Sequence, residues 1–366
     1  MHRRTLVKSL GLAGVMAATA ACGKKEVAGA GVALAGERHR WKMVTTWPPN
    51  FPGLGTGAAN LAKMIEDCSG GRITIKVYGA GELVPALEVF DAVSSGTAEM
   101  GHGGAYYWKG KIPSAPLFNA VPFGMTAQEV NGWLYFGGGL ELWREAYAPF
   151  GVLPAPAGNS GTQMGGWFNK EILSVADLKG LKMRIPGLGG EVLARAGGTP
   201  ITLPGQEIFT ALQTGAIDAT EWVGPYNDLA FGLHKVAKYY YYPGWHEPGS
   251  MLEALFNQAA FAQLTPDLQA IVMTCCKAVN DTMLAEFAAR NHDSLQTLVE
   301  KNGVQLRRFP DEVLRALRTA TRAVMAEQSK ANAMFARVWA SYDAFATRSA
   351  AFTAVAEQAM LDTRRL

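Results

Sequence analysis

Apolar and polar positions along the chain alternate in short runs, broken by Gly and Pro. Trp41-Lys42-Met43-Val44-Thr45-Thr46-Trp47 has the two-residue period of a strand and stops at Pro48-Pro49, which cannot continue it. A helical stripe follows from about Thr56 to Cys68. Ser69-Gly70-Gly71 then turns the chain into a predicted strand from Arg72 to Tyr78. A second helix opens at Pro85, and a short strand runs from Ala98 to Gly103. This β-α-β-α-β order predicts a mostly parallel sheet with helices on its faces. Gly151 to Ser160 is rich in Pro, Gly and Ala and reads as a crossing segment. Beyond it the pattern resumes with strands over 164–169, 182–186, 200–203 and 216–222, and helices from Gly190 to Ala196 and from Pro204. The aromatic run Tyr239 to Trp245 reads as an extended segment passing back to the first lobe. From about Thr265 the spacing is helical, with Asp267 to Lys301 and then Phe309 to about Leu366 as long apolar-striped runs.

One pattern occurs twice. Pro85-Ala86-Leu87-Glu88-Val89-Phe90-Asp91-Ala92-Val93-Ser94-Ser95-Gly96 aligns with Pro204-Gly205-Gln206-Glu207-Ile208-Phe209-Thr210-Ala211-Leu212-Gln213-Thr214-Gly215. Glu99 then answers Asp218, and Tyr107 answers Tyr226. Each copy reads as a Pro at a helix start, an apolar stripe, a Gly stop and a strand. The repetition predicts two lobes built alike with a ligand cleft between them; chance likeness of two helix-strand units is the alternative.

With 366 residues the chain is long enough for two lobes, each with its own core. Residues 1–22 are set apart. Arg3-Arg4 and Lys8 precede an apolar stretch ending in Thr19-Ala20-Ala21-Cys22, the layout of an export signal. The arginine pair suggests the twin-arginine route, an ordinary secretory signal being the alternative, and the box before Cys22 suggests lipid anchorage at that cysteine. A mature chain outside the cytoplasm, in the periplasm, is the expectation. The signal carries three of the 34 basic residues and no acid, so the remainder balances 31 acids with as many bases, and nothing points to nucleic acid. The expected organisation is signal 1–22, linker 23–40, lobe I 41–155, lobe II 156–250, a return to lobe I over 251–300, and C-terminal helices over 301–366 that brace the lobes or mediate a dimer. Cys68, Cys275 and Cys276 form no metal motif or disulfide framework and read as free thiols.

Among chemical motifs, no nucleophile elbow, P-loop, HExxH or dinucleotide fingerprint occurs. Gly187-Leu188-Gly189-Gly190 follows a strand and opens a helix, yet lacks the Lys and Ser/Thr of a phosphate cradle. Arg184, in Lys182-Met183-Arg184-Ile185-Pro186, suits either a ligand-facing cation at a strand end or a solvent-facing residue on an edge strand. In the first role it offers a carboxylate two parallel hydrogen bonds. Glu221-Trp222 and Trp245-His246-Glu247-Pro248-Gly249 place two glutamates beside tryptophans at strand ends, as cleft groups or as solvated carboxylates. His246 reads as a packing or hydrogen-bonding residue. Gln163 enters a strand from the crossing segment, a position that suits a side chain facing the cleft.

Taken together, the signal, the twin lobes, Met183-Arg184-Ile185-Pro186 before a Gly-rich turn, Glu221-Trp222 and His246-Glu247-Pro248-Gly249 resemble the DctP-type substrate-binding proteins of TRAP transporters. The resemblance is to the subgroup that binds 2-oxo acids or lactate with a metal cation. It implies an α/β, two-lobed periplasmic-binding-protein fold with long C-terminal helices. It also implies a receptor rather than an enzyme, a small 2-oxo or 2-hydroxy monocarboxylate as ligand, and small and large membrane permease subunits and a second copy of the chain as partners. Arg184 would pair with the ligand carboxylate, with Gln163, Trp222, Glu247, Tyr106 and Asn159 completing the ligand contacts. Gln163, Glu221, the Trp222 carbonyl and Glu247 would hold Na⁺ or Ca²⁺, hard ions that take oxygen ligands. Tyr106 and Tyr107 fit core packing equally well. The rival readings are an exported hydrolase or lyase using Glu221 or Glu247 as base, and a receptor for another organic acid.

Overall fold

A computed structural model of the chain describes residues 37–364 and 366. The signal expected over 1–22, with Cys22, and most of the linker lie outside the described residues. In chain order the elements are β1 (His39–Thr45), α1 (Gly55–Cys68), β2 (Ile73–Tyr78), α2 (Val89–Ser94), β3 (Met100–Gly103), α3 (Ala127–Phe136), α4 (Gly139–Tyr147) and β4 (Val152–Asn159). Then come β5 (Gly166–Phe168), β6 (Lys182–Arg184), α5 (Gly187–Arg195), β7 (Thr199–Ile201), α6 (Gly205–Gln213), β8 (Ala219–Thr220), α7 (Pro225–Phe231) and β9 (Tyr239–Tyr242). The chain ends with β10 (Met251–Asn257), α8 (Gln258–Ala262), α9 (Pro266–Gln296), β11 (Gln305–Arg308), α10 (Asp311–Ala331), α11 (Ala333–Val355) and α12 (Glu357–Thr363).

These strands form two sheets, ordered β2-β1-β3-β10-β4 and β11-β9-β5-β8-β6-β7. Each contains a parallel trio, β2-β1-β3 and β7-β6-β8. The duplicated segments supply α2-β3 to one sheet and α6-β8 to the other. Gly96 and Gly215, at φ 77° and 73°, end both units in the left-handed conformation that glycine adopts without steric cost. The matched acids do the same task. Glu99 Oε2 accepts from the Lys42 backbone N–H at 2.7 Å, and Asp218 Oδ2 from that of Lys182 at 2.9 Å.

Three sequence expectations change. Gly151 to Ser160 is not simply a crossing: most of it is β4, whose Pro154 and Pro156 are tolerated because β4 is an edge strand. The aromatic run stays in the second sheet as β9. There Tyr240 stacks on Trp167 with ring centroids 4.1 Å apart, and Tyr241 packs against Phe168 and Phe309. The strand that returns to the first sheet is β10. The C-terminal section also begins with a strand, β11, paired to β9.

Burial is not divided lobe by lobe either. Val44, Phe168 and Tyr241 belong to one apolar cluster, while their strand neighbours Met43, Trp167 and Tyr240 belong to another, and each cluster spans both sheets. The alternation of strand side chains creates the two faces, and the long helices carry each face across. α9 packs on β4 and α1 and also on α7. α10 lies on α5, while α11 lies on α3 and α4. The Tyr342 hydroxyl accepts from the Met125 N–H at 2.7 Å, and Arg337 pairs with Glu145. The α10–α11 pair therefore straps one lobe to the other, with its break at Asn332. Cys68 is exposed, Cys275 and Cys276 are buried, and all three are free.

Glu253 of β10 is fully buried beneath the turn that leads β3 to the cleft. It accepts from Trp108 Nε1 and, at 3.4 Å, from the Tyr147 hydroxyl. Burial pushes its carboxyl up to about 8 despite these donors. An unfolded glutamate releases its proton near about 4.3, so between these values the folded state holds more protons and stability falls as pH rises. Glu253→Gln mimics the protonated form. Thermal unfolding should show its Tm advantage over the unsubstituted chain growing from about pH 5 to about pH 8; parallel pH profiles would contradict this.

Candidate functional site

The chemistry-bearing residues arrive at one place because strand ends and crossings meet there, as open α/β sheets arrange their ligand sites. Arg184 closes β6. Glu221 and Trp222 follow the end of β8. Asn159, Ser160 and Gln163 lie where the chain leaves β4 for β5, and His246 and Glu247 lie where it leaves β9 for β10. The other wall comes from the helical turn Ala105–Trp108 after β3, which carries Tyr106 and Tyr107.

Arg184 is 1% exposed, which excludes the solvent-facing edge role. Its Nη1 donates to Glu221 Oε1 and to the Glu221 carbonyl, its Nε to the Leu203 carbonyl at 3.1 Å, and its Nη2 to the Tyr107 hydroxyl at 3.0 Å. The last bond joins the two lobes. The Trp222 ring lies 5.3 Å from the guanidinium carbon, within cation–π range. Trp222 in turn is wrapped by Trp47 and Phe51 of the first lobe and Phe231 of the second. Burial opposes the Arg184 charge, but Tyr107 and Glu221 outweigh it and raise the guanidinium further above neutrality.

Glu221, His246 and Glu247 are all buried and can offer ligand atoms within 4.8 Å of one another. His246 Nε2 stands 3.3 Å from Glu221 Oε2, close enough for an ion pair but not angled as a hydrogen bond, so both ring nitrogens remain unpaired. Gln163 Nε2 donates to Glu247 Oε2 at 2.8 Å and to Ser160 Oγ at 3.2 Å. Burial, and then the nearby Glu221 charge, push the Glu247 carboxyl up to about 7.

Buried polar atoms are normally hydrogen-bonded, so the exceptions carry information. Gln163 Oε1 and Glu221 Oε2 are buried oxygens without a hydrogen-bond partner. The carbonyls of Glu221 and Val223 accept hydrogen bonds from Thr220 Oγ1 and the Met164 N–H respectively; among the described residues the Trp222 carbonyl between them accepts none. Unpaired oxygens beside two carboxylates fit a hard cation.

Of the remaining expected residues, Tyr106 and Tyr107 meet edge to face, centroids 4.5 Å apart. With Ile185, Gly187, Pro200 and Thr202 they line a cavity of about 380 Å³ between the lobes. Gly187, at φ 61°, lies under Tyr106: a Cβ there would stand 2.8 Å from the Tyr106 Cβ. The Gly-rich stretch thus permits close approach of the lobes. Asn159 uses its Oδ1 on the Gly161 N–H at 2.8 Å, leaving Nδ2 buried and unpaired. The structure adds to the cluster His246, which from the sequence reads as a packing or hydrogen-bonding residue; its position beside Glu247 is the available signal. The Tyr107–Arg184 bond had no sequence signal, because it joins different lobes.

Known proteins share the fold that carries this site. Residues 43–332 match the model of the DctP family, described as bacterial extracellular solute-binding protein, family 7. A monocarboxylate 2-oxoacid-binding periplasmic protein of Nostoc sp. is 43% identical over 357 residues, covering 98% of this chain and 97% of that protein. A TRAP periplasmic solute-binding protein of Pseudoalteromonas atlantica, solved with bound sodium and pyruvate, superposes with a TM-score of 0.87 at 44% identity, covering 89% of this chain and 99% of its own. A TRAP solute-binding protein of Bordetella bronchiseptica gives 0.88 at 37% identity, with 90% and 98% covered. It is a dimer of mixed occupancy, with calcium and picolinate in one site. With the family model matched over most of its length and a relative 43% identical across nearly the whole chain, the chain belongs to the DctP family of bacterial extracellular solute-binding proteins.

Proposed function

We propose that this protein is the extracytoplasmic receptor of a TRAP transporter, binding a small 2-oxo or 2-hydroxy monocarboxylate of the pyruvate and lactate class together with Na⁺ or Ca²⁺. The observation that carries the reading is the buried charge set. One guanidinium faces two carboxylates, so an anionic ligand alone adds repulsion in a seam where water screens little. A cation supplies the missing positive charge and a coordination partner for the ligand's carboxylate and 2-oxo oxygen. Gln163, Glu221, the Trp222 carbonyl and Glu247 are its proposed ligands; His246, whose unpaired nitrogens reach the same cluster, is the nearest alternative. Arg184 donates its remaining Nη2 N–H to the ligand carboxylate, while Trp222, Glu247, Gln163, Tyr106 and Asn159 shape the space around it. Sodium with pyruvate in one relative, and calcium with picolinate in another, support both halves of this reading.

In this reading the protein binds and releases without chemistry. Closure joins Tyr107 of one lobe to Arg184 of the other, and the closed form is what the small and large permease subunits recognise. In the proposed domain scheme, lobes I and II close on the ligand while the 301–366 section braces them and pairs two copies. The ends of the last helices support pairing, since Phe352 and Val355 are 72% and 75% exposed and Met360 and Leu361 also face outward.

Three outcomes are expected. Calorimetry on Arg184→Ala should show pyruvate affinity reduced by about 2 kcal/mol or more, as when a buried charge loses its partner; undiminished affinity refutes the carboxylate role. Dialysis against chelator into buffer free of Na⁺ and Ca²⁺ should weaken pyruvate binding, and either ion should restore it; indifference to both removes the cation, and turnover of pyruvate would favour an enzyme instead. Light scattering should find a dimer that Phe352→Asp with Val355→Asp converts to monomer; a monomeric parent chain would end the pairing claim.

A further inference from the structure

Behind Trp222 lies a carboxylate that belongs to none of the contacts assigned so far. Asp228, on α7, is 1% exposed and accepts three hydrogen bonds. Its Oδ2 takes Trp167 Nε1 at 2.9 Å and the Tyr240 hydroxyl at 2.7 Å; its Oδ1 takes the Val223 backbone N–H at 3.3 Å. Trp167 and Tyr240 are partners across the β5–β9 register and stack on each other, so the two donors to Oδ2 are held by the sheet itself. The carboxylate plane is thereby fixed, and with it the direction from which Oδ1 meets Val223.

That contact has a consequence one atom further on. A trans peptide is planar, with its N–H and C=O pointing to opposite sides. With the Val223 N–H aimed at Asp228, the Trp222 carbonyl of the same peptide is aimed away from it. The peptide after it is anchored too, since the Val223 carbonyl accepts from Met164, the residue next to Gln163. The same helix contacts the opposite lobe: Asn227 Nδ2 donates to the Pro52 carbonyl at 2.9 Å. The segment that aims this carbonyl is therefore docked to the first lobe when the seam is closed.

We propose that Asp228 is a positioning residue of the cation site: by fixing the Trp222–Val223 peptide it presents the Trp222 carbonyl oxygen to the ion. This role rests on the reading that a cation is held there. It predicts a split between ion and ligand terms. Loss of Asp228 lets the peptide rotate, so ion binding weakens while the Arg184 contact to the ligand carboxylate remains.

Pyruvate affinity is to be measured by calorimetry across a Na⁺ series, and separately a Ca²⁺ series, for the full chain, Asp228→Ala and Asp228→Asn. Thermal unfolding of each protein is recorded without ligand. Asp228→Ala should raise the half-saturating cation concentration at least tenfold, with affinity at saturating cation changed less than threefold. Val338→Ala, a core truncation in α11, serves as the stability control and should keep the parent cation dependence while lowering Tm. Should Asp228→Ala not fold, Asp228→Asn, which replaces one acceptor oxygen with an amide donor, carries the same comparison. A folded Asp228 variant with the parent cation dependence overturns the proposal, as does a Val338→Ala shift of equal size. A parent chain whose pyruvate binding ignores both ions overturns the cation reading itself and this role with it; that result is distinct from the first because it appears before any substitution is made.

Discussion

Charge in the seam between the lobes is unequal, and the rest of the molecule is arranged around that inequality. Arg184, Glu221 and Glu247 are all buried, with one positive group set against two acids. A buried ion pair returns little net stability, since desolvation consumes most of the Coulombic gain. Glu247 reflects the strain directly, its carboxyl raised by burial and by its neighbour. Orphaned oxygens on Gln163 and Glu221 point the same way. Such a cluster is costly to a fold on its own account, and it makes sense as a surface made complementary to charged cargo.

The architecture keeps this costly seam intact. Each lobe contributes a parallel trio with helices, built to one plan down to the acid that takes a backbone N–H from the adjoining strand. The chain crosses between the sheets at 159–166 and 242–251, where strand ends meet the cleft, and a third time through the long helix α9. Two apolar clusters run through both lobes rather than staying within one, and α9 and the α10–α11 pair span the gap.

Much of this was legible in the residues. The alternation of Trp41 to Trp47, the glycine stops at Gly96 and Gly215 and the proline helix starts located real elements, because these signals act over a few neighbours. The cleft residues Arg184, Gln163, Glu221 and Glu247 were identifiable from their strand-end context together with family resemblance. The failures share one cause. Val152 to Asn159 carries two prolines and reads as a loop until β10 lies beside it; Tyr239 to Tyr242 reads as a wanderer until Trp167 offers a stacking partner. Gln305 to Arg308 is too short and too polar to announce a strand without β9. Pairing partners far away in sequence decided all three.

What the amino-acid order alone determined was the list of parts: two matching helix-strand units, long C-terminal helices, and an arginine and two glutamates near expected strand ends. Those are local matters, governed by backbone preference and side-chain periodicity. Only the tertiary structure decided which sheet each strand joined, that Tyr107 reaches Arg184 from the other lobe, that His246 stands beside Glu221, and that Asp228 grips the peptide behind Trp222. Each of these is a contact between residues brought together by folding, and its energy depends on burial and orientation that no short stretch of chain encodes.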